Sequence, residues 1–197
     1  MASVNLTNAN LAKVDFSGSA LEYSILELAN LTEANLLGTN LNECNLHSAN
    51  LTDANLRGAS LRLAILNRAN LTHANLSSAN LTEANLTEAN LTSADLQGAD
   101  LKNANLTRAN LTKATFCYTD FSHANLYGAN FTGLRFDDYE FDDTKVSADF
   151  SHANLYEANL TEANLTNVNF HGAILTGANF HGAILTGATM PDGTIHD

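Results

Sequence analysis

The sequence predicts an all-β solenoid wound from five-residue units, four units to a coil. Three observations carry that prediction. A large apolar residue recurs at every fifth position from Leu6 to Val146 without a miss. A small residue, most often alanine, stands two places before most of these centres, as at Ala9, Ala29, Ala34, Ala49 and Ala54. Gly18, Gly38, Gly58 and Gly98 each follow a centre by two places and share a spacing based on 20, with Ser78 filling the gap.

The apolar period excludes both regular elements as a continuous structure. On a helix, steps of five residues rotate by about 140°, so the leucines would spiral over the whole surface and leave no buried stripe. On a strand, an odd period sends alternate leucines to opposite faces. A bend once per unit returns every large residue to the same side. Between bends the small residue and the leucine are two apart, so both point inward and the Asn or Asp between them points out. The glycine spacing then sets four bends per coil and suggests one corner built from a type II-like turn, where a positive φ suits Gly.

Stacked coils place like residues above one another. Each leucine meets leucines of neighbouring coils, a burial of roughly 1.5–3 kcal/mol per side chain before ordering costs. Outward Asn and Thr fall into columns able to hydrogen-bond from coil to coil and to the corner backbone. Triplets such as Asn30-Leu31-Thr32 match a glycosylation acceptor but are read here as repeat grammar.

Composition narrows the function classes. The chain has 197 residues and a formal net charge of −12, with a pI near 4.7, which argues against direct nucleic-acid binding or attachment to an anionic membrane. No run approaches the ~20 apolar residues of a membrane span, and the first residues lack a secretory pattern. Cys44 and Cys117 make neither a disulfide framework nor a metal cluster. A cytoplasmic protein is expected.

Runs such as Ala79-Asn80-Leu81-Thr82-Glu83-Ala84-Asn85-Leu86-Thr87-Glu88 resemble the pentapeptide-repeat family over roughly residues 3 to 190. The resemblance implies a right-handed quadrilateral parallel β-helix. That would make 1–197 a single domain of about nine to ten coils, some 45 Å tall at strand spacing, with 189–197 as a C-terminal tail. The tail Thr189-Met190-Pro191-Asp192-Gly193-Thr194-Ile195-His196-Asp197 is similar to those of cyanobacterial members. It would cap the last coil or join an end-to-end homodimer, the alternative being a monomer.

Function in such a tower is expected where the repeat is violated. One violation is the stretch containing Arg135, Phe136, Asp137, Asp138, Tyr139, Glu140, Phe141, Asp142 and Asp143, after which the centres step by four, from Val146 to Phe150. A bulge or loop is predicted within 132–149, where six acids and two bases lie between residues 131 and 149. It reads either as a solvated insertion or as a partner-contact loop. Its acids lack the alternating oxygen ligands and central Gly of a calcium loop. A second violation sets Tyr23, Ile25, Leu28, Leu63 and Ile65 at outward positions held elsewhere by Asn, Thr or charge. Ile25 and Ile65 lie two coils apart on one edge, with Asn45 between. A third is the glycine-rich stretch with Ile174 and Ile184 in place of Asn.

No catalytic, cofactor or metal constellation is legible. His171 and His181 face opposite sides of the coil, and Cys44 takes an inward core slot. The resemblance also implies one specific activity, mimicry of duplex DNA to bind a type II topoisomerase such as DNA gyrase. The outward columns argue against it: Arg68, Glu88 and Arg108 alternate in sign, and Lys13, Glu33, Asp53, His73, Ser93 and Lys113 mix both. A non-catalytic scaffold or protein-interaction module with an unknown protein partner is the leading expectation, and the DNA mimic the alternative.

Overall fold

The computed structural model describes residues 3–134 and 148–197. The chain forms a quadrilateral β-helix in which each straight side is so short that single residues bridge the coils. Partners stand 20 residues apart, as in Asn5↔Ile25↔Asn45↔Ile65↔Asn85, all parallel. That column continues through Asn105, Asn125 and Asn154 to Ile174, nine rungs among the described residues. Two strands of two residues are long enough to name, β1 (Thr119–Asp120) and β2 (Ala148–Asp149), and they pair in parallel.

A single unit shows why the sequence repeats as it does. In Asn70-Leu71-Thr72-His73-Ala74, Asn70 N–H donates back to Ala49 O at 2.9 Å, and Leu71 N–H donates forward to Asn90 O at 2.7 Å. His73 N–H donates forward to Thr92 O at 3.0 Å, and Ala74 N–H closes the corner on Leu71 O at 3.0 Å. The fifth amide, Thr72 N–H, has no backbone acceptor; it donates to Asn70 Oδ1 at 3.2 Å. A buried or crowded amide left unpaired is costly, so the Asn or Asp before most leucines is the acceptor that completes the unit.

The corners differ from the sequence expectation in one respect. The glycine column is not a special corner: among the described residues 24 non-glycine residues also have positive φ, from Asn8 (58°) to Asn167 (57°). Every such corner uses the same left-handed third residue, and ladder hydrogen bonds on both sides outweigh a local strain of order 1 kcal/mol. Space is tightest at Gly172 and Gly187, against the His152 and Asn167 side chains. A Cβ at Gly172 would overlap the His152 ring, which lies across it from the coil before.

The interior is a dry shaft of leucine and alanine, with most members at 0–1% exposure. Near the interruption it turns aromatic: Phe116, Phe121, Phe131 and Phe150 pack as one cluster, and Phe121 and Phe150 stack at 4.7 Å between centroids. Leu6, Leu11, Phe16 and Leu21 at one end, and Leu175, Phe180 and Leu185 at the other, are only partly covered. The tail turns back on the last coil, with Thr189 bridging Ile195 antiparallel and His196 N–H donating to Ala188 O at 2.8 Å.

Residues 135–147 lie outside the described residues, and with them the acidic and aromatic candidates Arg135 to Asp143 and most of the segment expected to bulge. On either side the bridged pairs Asn125↔Asn154 and Asn130↔Asn159 are 29 residues apart instead of 20. One coil therefore contains nine residues more than its neighbours, a count congruent with the four-residue step seen in the sequence.

Candidate protein-interaction surface

Most of the tower's surface is occupied with itself. Along one column Asn30, Asn50, Asn70, Asn90, Asn110, Asn130, Asn159 and Asn179 follow one another, each up to Asn159 followed two places later by Thr. Asn90 illustrates the pattern. Its Oδ1 accepts from Thr92 N–H at 3.1 Å and Thr92 Oγ1 at 2.6 Å, and its Nδ2 donates to Thr72 Oγ1 at 2.9 Å. The next asparagine repeats the step, Asn110 Nδ2 donating to Thr92 Oγ1 at 2.9 Å. A side-chain ladder that spends its donors and acceptors on itself has little left for a partner.

The ladder fails on the side that carries Tyr23, Ile25, Leu28, Leu63 and Ile65. All five side chains are exposed, Tyr23 and Leu28 more than half so, at 56% and 51%. Ile25 and Ile65 sit in one bridge column with Asn45 between them, and Tyr23 and Leu63 flank Glu43 at the neighbouring corner. Two local losses coincide here. Isoleucine at 25 and 65 removes the Asx acceptor that Asn45 supplies to His47 N–H at 3.0 Å. Tyr23, Leu28 and Leu63 take the left-handed φ common to the corners, at 62°, 58° and 59°, but all five side chains expose apolar surface to water where other coils carry polar groups.

Beside Tyr23 lies a hollow of about 340 Å³ lined by Glu22, Tyr23, Asn40, Asn42, Glu43 and Arg62. Glu22 is only 8% exposed, although it occupies a corner, and its Oε2 has no hydrogen-bond partner. Arg62 is turned to the following coil, where its Nη2 meets Glu83 Oε1 at 3.0 Å. Asn42 Oδ1 is taken by Ser60 Oγ at 2.7 Å and Arg62 N–H at 2.8 Å. Nothing in the sequence period marks Glu22, because its slot elsewhere holds ordinary polar residues, mostly half-buried.

The remaining candidates resolve as follows. Cys44 is fully buried, its Sγ donates to Leu21 O at 2.7 Å, and burial pushes its pKa from 9.0 to about 11, against an opposing backbone hydrogen bond from Ser24. Such a thiol is not a nucleophile. His123, His152 and His171 come together, which the sequence did not indicate: centroids are 5.0 Å apart for the first pair and 5.7 Å for the second. Tyr127 and Tyr156 stack likewise at 5.7 Å. These contacts follow from the 29-residue coil, which sets Ser122-His123-Ala124-Asn125-Leu126-Tyr127 over Ser151-His152-Ala153-Asn154-Leu155-Tyr156. Among the described residues no group of three or more His, Cys, Asp or Glu is placed to hold a metal ion, and no helix is long and apolar enough to cross a membrane.

The pentapeptide-repeat family model matches residues 1–36, 24–62, 64–103, 94–133 and 153–190, eight copies of the repeat. The chain belongs to the pentapeptide-repeat family. Among solved members it is similar to HetL, a pentapeptide-repeat protein involved in heterocyst differentiation regulation from the cyanobacterium Nostoc sp. strain PCC 7120. Identity is 36% over 98% of this chain and 87% of that one, with a TM-score of 0.52. Trypsin-treated QnrB1, a plasmid-mediated fluoroquinolone resistance protein, is 17% identical over 92% of this chain and 89% of its own, with a TM-score of 0.42. Rfr23 from the cyanobacterium Cyanothece 51142 is 32% identical over 65% of this chain and 64% of its own, with a TM-score of 0.23. No curated protein matches the chain significantly.

Among the described residues of this pentapeptide-repeat protein, four ion pairs join one coil to the next. Lys13 meets Glu33 at 3.4 Å and Arg68 meets Glu88 at 2.8 Å, each across one coil. Lys102 Nζ lies 2.9 Å from Asp120 Oδ2. Burial raises the Asp120 pKa, but hydrogen bonds from Ser122 and Lys102 outweigh it and hold the carboxyl below its ordinary value.

Proposed function

We propose that the chain is a non-catalytic protein-interaction module of the cytoplasm. Its partner surface is the side bearing Tyr23, Ile25, Leu28, Leu63 and Ile65. The observation that carries this reading is the coincidence there of lost Asx bonds and a run of exposed apolar groups, both unfavourable to the isolated tower. Lost hydrogen bonds and exposed apolar surface held together at one place are what a binding site retains and a scaffold has no reason to keep. The likeness to HetL, a protein involved in regulation, supports a role exercised through contact with another protein. Alternating charges that pair across coils support this reading over duplex mimicry, which needs a continuous negative track.

The test is co-purification from extract of the source organism, comparing the natural chain with the Ile25→Asn/Ile65→Asn variant. Loss of a specific partner from the variant alone is the expected result. An unchanged partner set would move the interface elsewhere, and inhibition of gyrase supercoiling by the natural chain would favour the mimic.

A further inference from the structure

The hollow beside Tyr23 contains acceptors in excess of donors. Its one cation, Arg62, is committed to Glu83 on the next coil. Asn42 Oδ1 is occupied twice, and Asn42 N–H already donates to Asn40 Oδ1 at 3.1 Å. Besides the Nδ2 groups of Asn40 and Asn42, what remains is the carboxylate of Glu22, buried with one oxygen unpartnered, the carboxylate of Glu43 one coil on, and the exposed ring of Tyr23. A desolvated carboxylate oxygen with no donor is an expensive feature unless a donor arrives. The last torsion of a glutamate is broad and roughly two-fold, so rotation about it brings the unpartnered oxygen toward the hollow.

Two carboxylates and an aromatic ring do not make a metal site, which needs more oxygen ligands than these. They do make a receptor for an organic cation. A planar guanidinium can bond a carboxylate through two N–H groups while its face lies on a tyrosine ring, whereas an ammonium offers only a point charge. The volume of about 340 Å³ admits such a head group and its stem. Ile25 and Leu63 border the same corner, so an arginine entering here would belong to a chain whose apolar residues cover them. The net charge of −12 favours a basic partner for the same reason.

We infer that the hollow formed by Glu22, Tyr23 and Glu43 is an anchor pocket for an arginine side chain of the protein partner. This rests on the interaction surface proposed above and names the chemistry that side recognises.

The test uses the full chain and N-acetyl-arginine amide as probe, with N-acetyl-citrulline amide as its neutral isostere. Amide chemical shifts are followed by NMR up to tens of millimolar. The expected result is saturable shifts confined to the amides around Glu22, Tyr23, Asn42 and Glu43 with the arginine compound and none with citrulline. Glu22→Gln, which keeps size and fold, weakens the arginine probe about tenfold, in line with a charge-assisted bond reduced to a neutral one. Tyr23→Asn, which keeps both carboxylates and suits a left-handed corner, weakens it severalfold. Shifts that are absent, dispersed over the tower, equal for citrulline, or unchanged in Glu22→Gln would overturn the pocket. The two readings fail separately. If Ile25→Asn/Ile65→Asn abolishes partner binding while the probe does not bind, the surface stands and the pocket falls; if the probe binds and the partner is retained, the reverse holds.

Discussion

At the scale of the residue, the asparagine before each leucine decides more than its outward position suggests. Where it is present, it is the acceptor for the one amide of the unit that the backbone does not satisfy, and in the Asn/Thr column it also joins successive coils. Asn90→Ala removes the acceptor of Thr92 N–H and Thr92 Oγ1 together with the donor to Thr72 Oγ1. The expected loss is about 1–3 kcal/mol, read as a lower urea midpoint at unchanged slope. The sequence announced these residues as outward and hydrogen-bonding. It could not show that left-handed φ extends to Tyr23, Leu28 and Leu63, because side chains without special preference adopt it when the ladder on either side imposes it. Cys44 gives a second residue-scale expectation. Its folded pKa of about 11 stands above the unfolded 9.0, so its contribution is complete below pH 9 and is lost as pH rises toward 11. Denaturant unfolding across that window falls more steeply in the natural chain than in Cys44→Ala, and alkylation of Cys44 in the native state is slow up to pH 9.

At the scale of the element, the 29-residue coil is the feature the sequence read least well. The step from Val146 to Phe150 announced a slip, but a slip of one residue and an excess of nine are the same modulo five. Only the pairing of Asn125 with Asn154 distinguishes them. The stacking of His123 on His152 and Tyr127 on Tyr156 was hidden for that reason. Removing residues 138–146 leaves Leu134-Arg135-Phe136-Asp137-Ser147-Ala148-Asp149-Phe150, which is in phase with the repeat. That nine-residue deletion is expected to fold with stability within about 1 kcal/mol of the natural chain, since it keeps every apolar centre in phase and chain length between fixed points changes closure entropy only slowly. Circular dichroism and urea unfolding check it, and a chain that no longer unfolds cooperatively would show that the extra residues are part of the coil's support.

At the scale of the whole molecule, each coil touches only its neighbours, so stability is a sum of repeated contributions and local breaks are tolerated without collapse. The sequence made the architecture legible because one period, repeated without a miss, admits a single way of burying leucine. It made the partner surface only half legible. Tyr23, Ile25, Leu28, Leu63 and Ile65 stood out as exceptions to the period, whereas Glu22 did not, since burial of a corner carboxylate depends on how two coils meet. The central claim is that this side carries residues kept at a cost to the tower. It is tested most directly by the urea midpoint of Ile25→Asn/Ile65→Asn against the natural chain. Restoring two Asx acceptors and withdrawing two exposed apolar groups is expected to raise stability by about 0.5–2 kcal/mol. A midpoint that falls would mean the isoleucines support the fold, and would contradict the account.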